Sequence, residues 1–309
     1  MIKTRKSAGE SQDAKHMSDV LSSATYRECL KNDVLVTRDN NSDIVADLVS
    51  QYYDAHSMAE DNRLKNNPEE FEVTLAAVAE YCHPGSKVLD IGGGTGIYSV
   101  ELCKMGCDVL LADISEKCLM LAKNNAASAG VIINTMVANA MDHTIDLGEA
   151  YDLILCLGPL YHCANVIQAE NVILNVMERL RSGGVAIFAF LSRYSKFNDM
   201  YSSIADCADS DIESLEEYMS LRTSSDGDWS FEKRGELPIS FVFPENIEHL
   251  FRRVDLVPKE VFAVDAFHNL NINRNNAKRI LNVVRGSSRK LCLQRGNHIL
   301  VIVHKGDTI

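Results

Sequence analysis

Val88-Leu89-Asp90-Ile91-Gly92-Gly93-Gly94-Thr95-Gly96 is the stretch that decides how this chain folds. An apolar strand at 87–91 runs into a glycine-rich turn, and a helix opens at Ile97 carrying Val100, Leu102 and Cys103. Gly92, Gly94 and Gly96 let the backbone turn sharply and come close to a ligand, where a Cβ would obstruct it. Such a turn delivers a ligand to a helix N-terminus at the carboxyl end of a strand, the usual ligand position of a doubly wound sheet.

Two kinds of nucleotide ligand use turns like this. The dinucleotide fingerprint Gly-x-Gly-x-x-Gly needs its third glycine at Ile97, counting from Gly92, or at Ser99, counting from Gly94. Neither register is met. Asp90 stands ahead of the turn instead, and a carboxylate there repels a pyrophosphate but accepts hydrogen bonds from an ammonium group. A second apolar run, Leu110-Leu111-Ala112-Asp113-Ile114-Ser115, ends on Asp113, 23 positions after Asp90. That is close to the offset of about 20 residues at which an acid meets a ribose in such folds.

Asp-x-Gly-x-Gly-x-Gly followed by that second acid resembles motif I of the class I S-adenosylmethionine-dependent methyltransferases. The resemblance implies that Asp90, Gly92, Gly94 and Gly96 hold the methionine part of S-adenosyl-L-methionine. It implies Asp113 and Ile114 at the ribose, with Leu157 completing the set at the end of the fourth strand. After the third strand, Asn139-Ala140 stands where the family often has an Asp-Ala pair. The amide oxygen of Asn139 can still accept a hydrogen bond from the adenine amino group.

Leu157-Gly158-Pro159-Leu160-Tyr161-His162 follows the fourth strand. Enzymes that methylate amino groups of nucleic acids carry Asn/Asp-Pro-Pro-Tyr/Phe there, which is absent. The metal-binding Asp of cation-dependent O-methyltransferases is absent too, and Cys163 lacks the adjacent proline of the cytosine C5 enzymes. The Gly-Pro-Leu-Tyr-His form is similar to a group of microbial methyltransferases acting on small molecules. Those also carry a Tyr-Tyr-Asp helix and a Phe-Glu-Val-Thr stretch, matched here by Tyr52-Tyr53-Asp54 and Phe71-Glu72-Val73-Thr74.

The resemblance implies a small-molecule acceptor, no metal, and Tyr161 and His162 where the methyl group is presented. His162 is a candidate base, because its unperturbed pKa lies near 6.5; His268 is a second. Tyr52 and Tyr53 are expected to close over the cofactor. Two alternatives stay open: methylation of a protein or RNA, and cofactor binding without methyl transfer.

The composition bounds the rest. A length of 309 residues with 46% hydrophobic content suits one large core with an appended lid. The net charge of −12 argues against a duplex nucleic-acid substrate, which rewards a basic face. No apolar run reaches the roughly 18–20 residues that span a bilayer, and the N-terminus has no signal-peptide core. Nine cysteines without paired spacing read as reduced thiols of the cytoplasm. The oligomeric state stays open, a homodimer included.

Along the chain, the polar composition of 1–42 predicts disorder, with a short helix near 20–30. A helical lid is expected over 43–84. The core is expected at 85–191 and 241–309, with a substrate cap around Trp229 inserted at 192–240. Within the core, strands alternate with helices: 87–91, 108–112, 131–137, 151–157, 185–191 and 257–264. A basic helix at 274–285 and a last strand at 298–303 complete the series. This rhythm predicts a doubly wound, mostly parallel α/β sheet. By the family resemblance it has seven strands, the last antiparallel.

Overall fold

The computed structural model describes residues 41–195, 229–234, 237–267, 272–286 and 289–306. Of the stretch 1–42 expected to be disordered, 1–40 lies outside the described residues, as do the helix near 20–30, the helical pieces at 198–222 and His268, while Asn41 and Ser42 open a helix. Helices α1 (Asn41–Lys65) and α2 (Pro68–Val78) come first. Then β1 (Lys87–Ile91), α3 (Ile97–Lys104), β2 (Asp108–Asp113), α4 (Glu116–Ser128) and β3 (Asn134–Val137) alternate. Next are β4 (Tyr151–Cys156), a 3-10 turn at Pro159–His162, α5 (Val166–Arg179) and β5 (Leu180–Leu191). A hairpin of β6 (Ser230–Arg234) and β7 (Leu237–Phe241) precedes α6 (Ile247–Arg252), β8 (Glu260–Ala263), α7 (Ala277–Arg285), α8 (Arg289–Arg295) and β9 (His298–His304).

Seven of these strands form one sheet in the order β3-β2-β1-β4-β5-β9-β8. β9 runs antiparallel to both of its neighbours, and the other pairings are parallel. This is the doubly wound sheet that the βαβα rhythm predicts. β1 is paired on both sides, and Val88, Leu89, Asp90 and Ile91 are all buried, as a strand covered on both faces should be. The strand order reverses between β1 and β4, the crevice where open sheets of this kind bind ligands. Helix α5 turns Val172, Ile173 and Val176 onto the sheet, each fully buried and each contributing on the order of 1.5–3 kcal/mol.

The structure departs from the sequence reading at four places. First, α1 continues unbroken to Lys65, because Glu60–Arg63 and Asp61–Lys65 pair along its surface at the spacing that supports a helix. Second, the glycine pair that seemed to end the helix before β5 lies inside that strand. Leu180 already pairs with Tyr151, and the register slips before Leu153 meets Val185. A Cβ on Gly184 would sit 2.8 Å from the Tyr151 carbonyl oxygen. Third, the β6–β7 hairpin occupies the end of the expected cap. Fourth, α8 precedes β9. The basic stretch 274–285 is tied down at both ends: Arg274, just before α7, pairs with Glu101 at 2.8 Å, and Arg285 pairs with Glu80 at 2.8 Å.

Candidate active site

A cavity of about 480 Å³ opens at the carboxyl edge of the sheet, over the switch between β1 and β4. Its floor is the glycine turn. Gly92 approaches the 3-10 turn so closely that a Cβ would lie 2.5 Å from Pro159 Cδ, and a Cβ on Gly93 would lie 2.6 Å from the Asp90 carboxyl. Asp90 is buried, and Ser99 Oγ donates to its Oδ2 at 2.6 Å. Ser99 occupies the position where the dinucleotide fingerprint has its third glycine, so the departure from that fingerprint has a structural use. Burial pushes the Asp90 carboxyl up to about 6, against the lowering effect of Ser99.

Asp113 ends β2 and lines the cavity. Its Oδ2 accepts from the Gly94 N–H and its Oδ1 from the Ser115 N–H, both at 2.8 Å. Burial raises its pKa and these two donors oppose that rise. Each oxygen keeps a second lone-pair direction, so the carboxylate can still accept from a diol. Gly94 therefore acts through its N–H, and it does not line the cavity. Gly96 does not line it either; at the start of α3 its Cβ would lie 3.0 Å from Ala122 Cβ, so it sets the packing of α3 on α4.

Asn139, Ala140 and Leu157 line the cavity together with Ile114. The Asn139 Oδ1 accepts from the Met141 N–H at 3.0 Å, closing its own turn and keeping one lone pair. Tyr52 and Tyr53 reach the cavity from α1, and the Tyr-Tyr-Asp motif explains how. Asp54 accepts from Ser115 Oγ at 2.6 Å and from the Lys117 N–H at 3.2 Å, at the N-terminus of α4. Ser115 Oγ in turn accepts from the Cys118 N–H, the usual N-cap bond. Tyr53 then meets His162, its hydroxyl 3.1 Å from Nε2, and burial raises the Tyr53 pKa. Two candidate site residues 109 positions apart in sequence thus meet through one hydrogen bond.

The cap contributes Leu237, Ile239 and Phe241 of β7 to the cavity wall. Trp229 does not line it. The indole N–H donates to the Cys163 carbonyl at 2.9 Å, and the ring packs on Phe190, so Trp229 props the loop after His162 from behind. Cys163 is buried and its thiol is pushed up to about 12 by burial, which leaves it protonated and unsuited to attack.

The sequence reading missed one cluster. Arg63 donates to Glu70 at 2.8 Å and to Glu60 at 2.9 Å, and all three line the cavity. His298, at the start of β9, also lines it. The His298 Nδ1 lies 2.7 Å from Asp265 Oδ2 and 3.6 Å from Glu70 Oε2. Burial opposes charge on this imidazole, but Glu70 and Asp265 outweigh burial and raise its pKa to about 9. Nothing local marks these residues, which come from α1, α2, the loop after β8 and β9.

Among the described residues, no group of three or more His, Cys, Asp or Glu side chains is arranged to hold a metal ion. No helix among them is long and apolar enough to cross a membrane. The residues present fit S-adenosylmethionine: a turn that excludes Cβ atoms, a diol-accepting carboxylate at Asp113, and a polar turn at Asn139.

Residues 88–184 match the family described as "Methyltransferase domain". Over 112 residues the chain is 33% identical to a ubiquinone biosynthesis O-methyltransferase of Sinorhizobium fredii, covering 36% of this chain and 44% of that protein. Over 112 residues it is 30% identical to the same enzyme of Aliivibrio fischeri, covering 36% and 47%. The chain thus matches less than half the length of these curated relatives. In fold it is similar to the 1,6-didemethyltoxoflavin-N1-methyltransferase of Burkholderia thailandensis, with a TM-score of 0.55 over 88% of this chain and 93% of that one, at 12% identity. Motif, sheet order and matched segment agree: residues 88–184 match a methyltransferase domain, set in the sheet that the resemblance to class I S-adenosylmethionine-dependent methyltransferases implies.

Proposed function

We propose that the chain transfers a methyl group from S-adenosylmethionine to a small organic acceptor, without a metal, in the cytoplasm. The observation that carries this reading is the single cavity. Asp113 and Asn139 line it, and so do Phe241, Val264 and Leu300, so one enclosure has room for donor and acceptor together. Bound S-adenosylmethionine would supply an electrophilic methyl carbon, to which an acceptor lone pair could bond as the carbon–sulfur bond breaks and S-adenosylhomocysteine leaves.

The chain's own residues position the reactants and exclude water, the two needs of such a displacement. In this reading Asp113 and Ile114 hold the ribose, Asn139 and Ala140 the adenine, and Asp90 with the Gly92–Gly96 turn the methionine end. Leu157 lies beneath the cofactor. Tyr161 and His162 face the methyl group, and Tyr52 and Tyr53 cover it from α1. The absence of an acid just after Leu157 supports a metal-independent reaction, and EDTA should leave turnover unchanged.

The curated relatives are named as O-methyltransferases of ubiquinone biosynthesis, which favours a small acceptor over a protein or RNA. The test is incubation of the full chain with methyl-labelled cofactor and a metabolite extract. A labelled small product supports the reading. Tight binding of S-adenosylhomocysteine with no labelled product of any size makes the chain a cofactor-binding protein instead.

A further inference from the structure

The cavity holds a polar constellation that the methyl-transfer reading leaves unused. Asp265 is 3% exposed. Its Oδ1 accepts from the Asn297 and His298 N–H groups at 2.8 and 3.0 Å, and its Oδ2 faces His298 Nδ1 at 2.7 Å. Gly296 makes this turn possible, since a Cβ there would lie 2.3 Å from Ala263 Cβ and 3.2 Å from Asp265 Oδ1. A carboxylate that fixes one imidazole nitrogen leaves Nε2 to face whatever enters, and sets the ring's orientation. The other acids and bases around His298 are already committed. Glu70 of α2 binds Arg63 of α1 and Asn67. Tyr161 of the 3-10 turn sits with its ring 6.4 Å from the imidazole.

A second observation points to a ligand. Ser195, just past β5, lines the same cavity, is 4% exposed, and its hydroxyl has no partner among the described residues. A buried hydroxyl without a partner is costly, and an acceptor oxygen would supply one. The same cavity has apolar lining from Ala189, Leu191, Phe241, Val264 and Leu300. His162, by contrast, has Nε2 at the Tyr53 hydroxyl.

Building on the methyl-transfer reading, we propose that His298, held by Asp265, binds the acceptor's ionised oxygen, so that the acceptor class is an acidic hydroxyl, a phenol or enol, on an apolar ring. The hydroxyl proton leaves to solvent, and the oxygen keeps the electron pair that attacks the methyl carbon. His298 carries its own proton at neutral pH, flanked by Asp265, Glu70 and Arg63, and so donates to the oxyanion and does not take the proton.

The probe is 4-nitrophenol, whose ionised form alone is yellow, titrated into the full chain saturated with S-adenosylhomocysteine. Bound probe should be yellow, with its ionisation constant raised roughly tenfold or more, as for a group beside an opposite charge. His298→Gln should abolish that rise and Asp265→Asn should weaken it. Calorimetry in two buffers of different ionisation enthalpy should count close to one proton released per site from the unaltered protein below the probe's free pKa. That count needs no variant to fold. No binding of the probe, binding as the neutral phenol, or an unchanged rise in a folded His298→Gln variant would overturn the proposal. Loss of the rise in His162→Gln alone would overturn it too. Failure of S-adenosylhomocysteine to bind in the first step would instead count against the methyl-transfer reading.

Discussion

Asp113 shows how one side chain can organise a turn and a ligand together. Its two oxygens accept from Gly94 and Ser115, so it sets the glycine turn against the start of α4 before any cofactor arrives. Asp113→Asn keeps the shape but turns one acceptor into a donor. A charge-assisted hydrogen bond is worth about 1.5–3 kcal/mol, so calorimetry should show affinity for S-adenosylhomocysteine falling roughly tenfold to a hundredfold. Unchanged affinity in the folded variant would remove Asp113 from the ribose.

His298 gives a prediction about pH. Its folded pKa of about 9 lies above the ordinary value near 6.5, so the folded chain keeps a proton that the unfolded chain has released. Stability from this residue is complete below about pH 6.5 and is lost as the pH rises through 9. Thermal melts should therefore drop between pH 7 and 9 in the unaltered chain and drop less in His298→Gln. Equal slopes would show that Asp265 and Glu70 do not hold a charged imidazole.

At the scale of elements, the sequence was legible wherever one local cause sufficed. β1 was readable to the residue because an apolar run met a glycine turn, and Asp113 because a second run ended on an acid at the expected spacing. The reading failed where distant partners decide. Nothing within α1 reveals that Asp61 accepts from Asn125 of α4 at 2.9 Å, which helps hold the helix down beyond Tyr53. Nothing near Gly183 reveals that Gly183 and Gly184 exchange backbone hydrogen bonds with Lys305, which makes the pair part of a strand. Asp265 and His298 lie 33 positions apart and meet only because β9 runs back beside β8.

The latch of α1 is itself testable. Asp54→Ala removes the acceptor for Ser115 Oγ and the Lys117 N–H, while Ser115 still caps α4. The core should keep its melting temperature within a few degrees. Hydrogen exchange over 44–60 should rise, and S-adenosylhomocysteine should bind more weakly. Unchanged exchange there would mean that Ser50, whose hydroxyl donates to the Ile114 carbonyl, and the apolar contacts of Val45 and Val49 hold the helix without Asp54.

At the scale of the molecule, the sheet places every ligand-facing group at its carboxyl edge, and that edge faces water unless something covers it. Two segments outside the sheet supply cover. β7 brings Leu237, Ile239 and Phe241, and α1 brings Ala46, Val49, Tyr52, Tyr53, Glu60 and Arg63. Among the described residues, those that line the cavity begin at Ala46; removal of 1–40, a polar stretch, should leave cofactor affinity and turnover close to those of the full chain. Removal of 1–66 is different in kind. It strips six wall residues, the Tyr53 hydroxyl from His162, and the guanidinium from Glu70, whose carboxylate then sits buried beside His298 and keeps Asn67, the N-cap of its own helix α2, as a partner. His298, 3.6 Å away, softens that loss, so the core should still fold, but with a lower melting temperature. Enclosure governs turnover more than stability in such sites, so methyl transfer should fall far more steeply than the melting temperature. A 67–309 chain as active as the full one, with S-adenosylhomocysteine bound equally tightly, would show that α1 packs beside the site without closing it.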